Sequence, residues 1–108
     1  MTDGEFDKLA TAALEHLRQA LEASACDADV EQKGEGVLEL EFEDGSKIIV
    51  NRHAAAREIW VAARAGGFHF RWAEGAWRDT RDGGELFAAL SRLISVQGGQ
   101  AVVLAPPR

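Results

Sequence analysis

The first apolar positions of the chain, Phe6, Leu9, Ala10, Ala13, Leu14, Leu17 and Leu21, recur at spacings of three and four. On a helix of 3.6 residues per turn they form one stripe, which predicts an amphipathic helix. Thr2 stands three residues before Glu5, the relation in which each side chain satisfies the other's backbone N–H at a helix start. The stripe fades near Ser24, ahead of Cys26, Asp27 and Asp29.

From about residue 29 the period changes to two. Leu38, Leu40 and Phe42 alternate with Glu39, Glu41 and Glu43, the pattern of a strand with one face buried and one face wet. Asp44 and Gly45 predict a tight hairpin with both central residues at positive φ, and residues 47–51 supply the return strand. In residues 57–64, Ile59, Val61 and Ala63 lie on one side and Glu58, Trp60, Ala62 and Arg64 on the other. Gly66 and Gly67 suggest the next turn, after which Phe68, Phe70 and Trp72 alternate with His69 and Arg71. A short strand around Trp77 then pairs back across Gly75. A final helix is expected to open near Asp82, to bury Leu86, Phe87, Leu90, Leu93 and Ile94, and to stop at Gly98 and Gly99. The expected fold is α+β: a two-layer sandwich with both helices on one face of a five- to six-stranded antiparallel sheet, the other face open. At 108 residues the chain has room for one domain, residues 1–108.

Charge changes this picture by being unevenly placed. Residues 1–44 hold 13 acidic side chains against three basic ones, and residues 45–108 hold five against nine. The acidic half would repel a phosphate backbone, so nucleic acid is not expected as its partner; cations or a basic protein surface are. No run approaches the roughly 18 apolar residues of a membrane span. The opening MTDGEFDKLA has neither the basic start and apolar stretch of a signal peptide nor the composition of a transit peptide. The single cysteine, Cys26, leaves no internal disulfide and fits a reducing compartment.

Candidate chemistry is sparse. His16, His53, His69 and Cys26 show none of the short spacings of a closed zinc site, and neither a nucleophile triad, a phosphate-cradling glycine loop nor a Cys-x-x-Cys pair is present. The chain is therefore not expected to be an enzyme. Oxygen ligands remain. Glu15 and Glu22 share a stripe opposite the apolar face, Asp3 and Asp7 extend it, and Asp27, Asp29 and Glu31 continue it past the helix. Exposed carboxylates suit hard cations held weakly in an open site. Glu39, Glu41 and Glu43 are secondary candidates, since a solvated strand face accounts for them fully. Trp60 alternates outward with Glu58 and Arg64, and a large aromatic on a wet face is enriched at interfaces. Trp72, Trp77, Phe68 and Phe70 belong to the core.

Together these features resemble the frataxin family in its bacterial branch. The resemblance rests on GSKIIVNRH over residues 45–53, EIWVA over 58–62 and GGFHF over 66–70, with the opening DGEF and residues 82–90 in step, and it covers nearly the whole chain. It implies a two-layer sandwich and a cytoplasmic role in iron–sulfur cluster assembly. It further implies weak, reversible binding of Fe2+ and Fe3+ at an acidic ridge matching Asp3, Asp7, Glu15, Glu22, Asp27, Asp29 and Glu31. The implied partners are the cysteine desulfurase and the scaffold protein, met through a sheet surface with Trp60 and Asn51, bordered by Arg52 and His53. The implied state is a monomer, with metal-induced oligomers as an alternative. Two departures stand out: Arg18, Gln19, Ala23 and Ala25 thin the ridge, which implies weaker iron loading, and His53 stands where glutamine is usual. A metal-independent regulator of the desulfurase, with carboxylates serving only as docking charges, is the competing reading.

Overall fold

The computed structural model describes residues 1–107; Arg108, the last residue of the expected domain, lies outside them. Helix α1 spans Asp3–Glu22. The Thr2 hydroxyl accepts from the Glu5 backbone N–H at 3.1 Å and the Glu5 carboxylate from that of Thr2 at 3.0 Å, the reciprocal cap expected from the sequence. Phe6, Ala10, Ala13, Leu17 and Leu21 are buried along its stripe.

Six strands follow: β1 (Asp29–Gln32), β2 (Val37–Glu41), β3 (Lys47–His53), β4 (Glu58–Ala63), β5 (Gly66–Ala73) and β6 (Ala76–Asp79), before helix α2 (Leu86–Gly98). Each strand pairs antiparallel with the next, giving the spatial order β1-β2-β3-β4-β5-β6. Alternation sends Leu38, Leu40, Ile48, Val50, Ile59, Val61, Phe70 and Trp77 to one face, where they form a single core with the buried faces of α1 and α2. The expected two-layer sandwich is what forms. Phe68 and Trp72, expected in the core, are half-buried at its margin, and Trp72 packs edge-on against Trp77 at 5.5 Å.

Three local expectations need correction. The β2–β3 hairpin has positive φ at Gly45 alone (84°). Gly45 N–H donates to the Phe42 carbonyl at 2.9 Å and Phe42 N–H to that of Ser46 at 2.8 Å, so a type I turn ends in a glycine bulge. Paired positive φ occurs instead at Glu74 (53°) and Gly75 (77°), between β5 and β6. The β4–β5 turn is not at Gly66 and Gly67, which already pair with Ala63 and Ala62; it falls on Arg64 and Ala65. Finally, α2 is capped by Glu85, not Asp82: the Glu85 carboxylate accepts from Phe87 N–H at 2.8 Å and Ala88 N–H at 2.9 Å. Asp82 accepts from Gly84 N–H at 2.8 Å in the turn before it.

Beyond Gly99 (φ 72°) the chain runs back along the helices, burying Val102 and Leu104.

Candidate functional site: an aromatic stack and an acidic rim

Strand pairing sets Asn51, Trp60 and His69 side by side across β3, β4 and β5 on the open face. His53, Glu58 and Arg71 form the neighbouring row. The Trp60 indole fills the space between these rows and is sandwiched. The His53 imidazole stacks on one of its faces at 3.8 Å between ring centroids, tilted 11°, and the His69 imidazole on the other at 4.5 Å and 10°. Trp60 is thus on the open face as expected, but half-buried, because two imidazoles cover the π surfaces that alternation alone leaves bare.

Glu58 anchors the stack. Alternation predicted a wet glutamate, yet it is buried at 6 % exposure. Its carboxylate accepts from the Trp60 indole N–H at 2.9 Å and from Arg71 at 2.7 Å, and lies 3.7 Å from His69 Nδ1. Burial alone would raise its pKa; the Trp60 and Arg71 hydrogen bonds, with the charges of Arg71 and His69, outweigh burial and hold it below the ordinary value. Opposite Glu58, His53 Nδ1 accepts from Ala56 N–H at 3.3 Å. Glu58 and His69 are the site residues that sequence reasoning missed. The signal for His69 is the pairing register, which depends on the turn at Arg64 and Ala65.

Arg52 departs from its expected place. It follows Val50 in alternation and so lies on the helix face, away from Asn51, His53 and Trp60. There its guanidinium pairs with Asp7 and donates to the Thr11 hydroxyl at 3.1 Å, tying β3 to α1.

The acidic candidates lie on α1, the following loop and β1. Arg18 takes Glu15 at 2.5 Å and Glu22 at 2.7 Å, Arg57 takes Asp3 at 2.9 Å, and Lys33 lies 3.4 Å from Glu31. The Arg18 hydrogen bond pulls the Glu15 pKa down. Asp29 and Glu31 sit opposite Glu41 and Glu39 on β2, and Lys47 holds Glu39 at 3.0 Å. A cleft of about 180 Å3 runs between Thr11, Glu15 and Arg18 on α1 and Gln32, Glu35 and Val37 on the sheet side. Among the described residues no group of three or more His, Cys, Asp or Glu side chains converges on one metal position. The donor set is one of open, hard oxygens, which fits a cation taken up as cargo better than one held in a cage.

The frataxin-like domain family matches residues 1–100. The chain belongs to the frataxin family. This frataxin is 61% identical over 104 residues to the iron–sulfur cluster assembly protein CyaY of Dechloromonas aromatica (strain RCB), covering 96% of this chain and 99% of that one. It is 56% identical over 107 residues to the protein of the same name from Cupriavidus metallidurans, with 96% of each covered. Its fold superposes on the frataxin of Psychromonas ingrahamii with a TM-score of 0.88 at 34% identity, covering 97% of this chain and 99% of the other. A trimeric yeast frataxin from Saccharomyces cerevisiae, complexed with ferrous iron, matches with a TM-score of 0.66 at 26% identity, covering 89% and 87%. The family is non-enzymatic. No helix among the described residues is long and apolar enough to cross a membrane.

Proposed function

We propose that this frataxin is a single-domain cytoplasmic component of iron–sulfur cluster assembly that binds Fe2+ and Fe3+ weakly and docks on the cysteine desulfurase and its scaffold protein. The names of its relatives support the assembly role, and the ferrous complex of the yeast neighbour supports iron as the cargo. The observation that carries the reading is the division of labour across one rigid sandwich. Carboxylates line α1 and β1, while an indole sits on the face the helices leave open. The rim attracts cations or a basic partner at long range, and salt weakens that attraction. The open face around Trp60 offers the desolvated contact.

A second reading has its own support. Asp3, Asp7, Glu15 and Glu22 are each held by an arginine, which leaves Asp27, Asp29 and Glu31 as the candidates with no arginine partner among the described residues. That pairing favours docking charges over metal ligands and hence a metal-independent regulator of the desulfurase. Separate titrations of ferrous iron and of the desulfurase against Glu22→Lys and Trp60→Ala distinguish the two. Iron delivery predicts that Glu22→Lys weakens both; loss of desulfurase binding with iron binding intact supports the regulator. Unchanged desulfurase binding in both variants removes the docking reading.

A further inference from the structure

The second half of the chain has more bases than acids, and the fold gathers part of that excess beside the aromatic stack. Arg71 on β5 and Arg78 on β6 are direct cross-strand partners on the open face. Among the strand residues of β4 to β6 on that face the one carboxylate is Glu58, buried and bonded to Trp60 and Arg71. Arg78 makes no ion pair among the described residues. With neutral imidazoles the patch carries one net positive charge, and with both protonated three.

The stack adds a second preference of the same sign. Aromatic rings are electron-rich on their faces and electron-poor at their edges. Here the indole faces are covered by His53 and His69, so a partner meets ring edges and imidazole N–H groups. Edges attract anions. Arg71, bonded to Glu58 through one nitrogen, is 64% exposed and keeps donors for an incoming carboxylate.

We propose that His53, Trp60, His69, Arg71 and Arg78 form a receptor for a carboxylate-bearing segment of a protein partner, and that imidazole protonation tightens it. This rests on the open face being a docking surface. It gives the molecule two recognition surfaces of opposite sign, the rim for basic groups and the stack for acidic ones. The polar groups that meet the two rings are Glu58 from β4 and Ala56 N–H from the β3–β4 turn, with Asn51 from β3, Arg71 from β5 and Arg78 from β6 beside them on the same face. His69 Nδ1 faces Glu58, whereas protonation of His53 at Nδ1 breaks its bond from Ala56. Histidine is the side chain whose charge changes between about pH 5 and 8, and each imidazole protonated adds one positive charge to the patch.

The test titrates the labelled full chain with polyglutamate and polylysine peptides, followed by NMR at about pH 7.5 and about pH 6. Polyglutamate is expected to shift the Trp60 indole N–H and the amides near His69 and Arg78, and polylysine those of α1 and β1. Polyglutamate affinity should rise at least about threefold on acidification. Arg78→Glu should abolish the polyglutamate shifts, and His53→Gln with His69→Gln should weaken binding and flatten its rise. No binding, shifts located elsewhere, or a rise that survives in the double glutamine variant overturns the proposal. So does preferred occupation of the face by an oligonucleotide, or by a second copy in sedimentation. Binding of the desulfurase–scaffold complex then separates the two levels. Loss with both Trp60→Ala and Arg78→Glu supports the receptor. Loss with Trp60→Ala alone removes carboxylate recognition but keeps the docking surface, and loss with neither removes the docking surface itself.

Discussion

The indole N–H of Trp60 donates to the buried carboxylate of Glu58 at 2.9 Å, and the same carboxylate holds Arg71 at 2.7 Å. An aromatic ring, an anion and a cation are thereby locked to one another on the sheet face opposite the helices. Glu58→Ala leaves an indole N–H and a guanidinium without their acceptor. It should cost about 2 kcal/mol of stability, chiefly through the half-buried indole N–H left unsatisfied, since Arg71 itself is exposed. Glu58→Gln keeps an acceptor for Trp60 and should cost about 1 kcal/mol. Urea unfolding of the two variants checks the order; equal losses would show that the carboxylate's bond to Trp60 contributes little.

The same residue sets an acid limb. Because Glu58 has a folded pKa below its ordinary value, the unfolded chain binds its proton first as pH falls. The stabilisation is fully present above the ordinary carboxylate range and disappears as pH drops through the depressed folded value. Glu58→Gln should flatten the fall of the unfolding midpoint in that acidic window and leave the neutral region level. A variant whose acid limb matches wild type would assign the pH dependence to other carboxylates.

How much of this was legible in advance depended on whether periodicity or pairing decided the outcome. Both helices, the order of strands and the buried sets Leu38–Leu40–Phe42 and Ile59–Val61 follow from spacing alone, since one-sided burial imposes the period. Turns were harder. Asp44 keeps negative φ because its side chain is held by Ser46 N–H at 2.9 Å and by Arg64 at 2.6 Å, contacts that no dipeptide rule contains. The burial of Glu58 was hidden because alternation assigns a face, not an exposure. It lies on the predicted side and is buried there by Trp60, His69 and Arg71, which arrive from its own and a neighbouring strand. Arg52 shows the reverse: strict alternation after Val50 does place it on the helix face, and grouping it with His53 by adjacency in the chain hid that. The acidic rim was legible as composition. Its arginine partners were not, apart from Arg18, because Arg52 and Arg57 reach α1 from 45 and 54 residues away.

Arg18 is the most direct control on the rim. It occupies Glu15 and Glu22 together, and the three share one flank of α1. Arg18→Gln releases both carboxylates and removes a positive charge between them. Affinity for a trivalent lanthanide at this flank should rise severalfold in calorimetry, while stability changes by less than about 1 kcal/mol because the pairs are exposed. A lanthanide affinity equal to wild type would place the cation-binding positions away from α1.

The C-terminal segment supplies the last test, one of packing. Two serines of α2 act on it as a strand would. The Ser95 hydroxyl accepts from Val102 N–H at 2.8 Å and donates to its carbonyl at 3.0 Å, and the Ser91 hydroxyl accepts from Leu104 N–H at 2.8 Å. His16 on α1 meets the Ala105 carbonyl at 2.9 Å and packs edge-on against Phe87 of α2, so the segment joins both helices. Between these anchors Leu104 is 3% exposed and Val103 is 86% exposed. Leu104→Ala should therefore lower stability by about 3 kcal/mol through lost burial and the cavity left behind. Val103→Ala, one residue away on the wet side, should stay within about 0.5 kcal/mol. Chemical denaturation of the pair tests whether the segment is part of the cooperative core. Equal, small effects would mean that the tail detaches before the sandwich unfolds, and the serine contacts would then have no share in global stability.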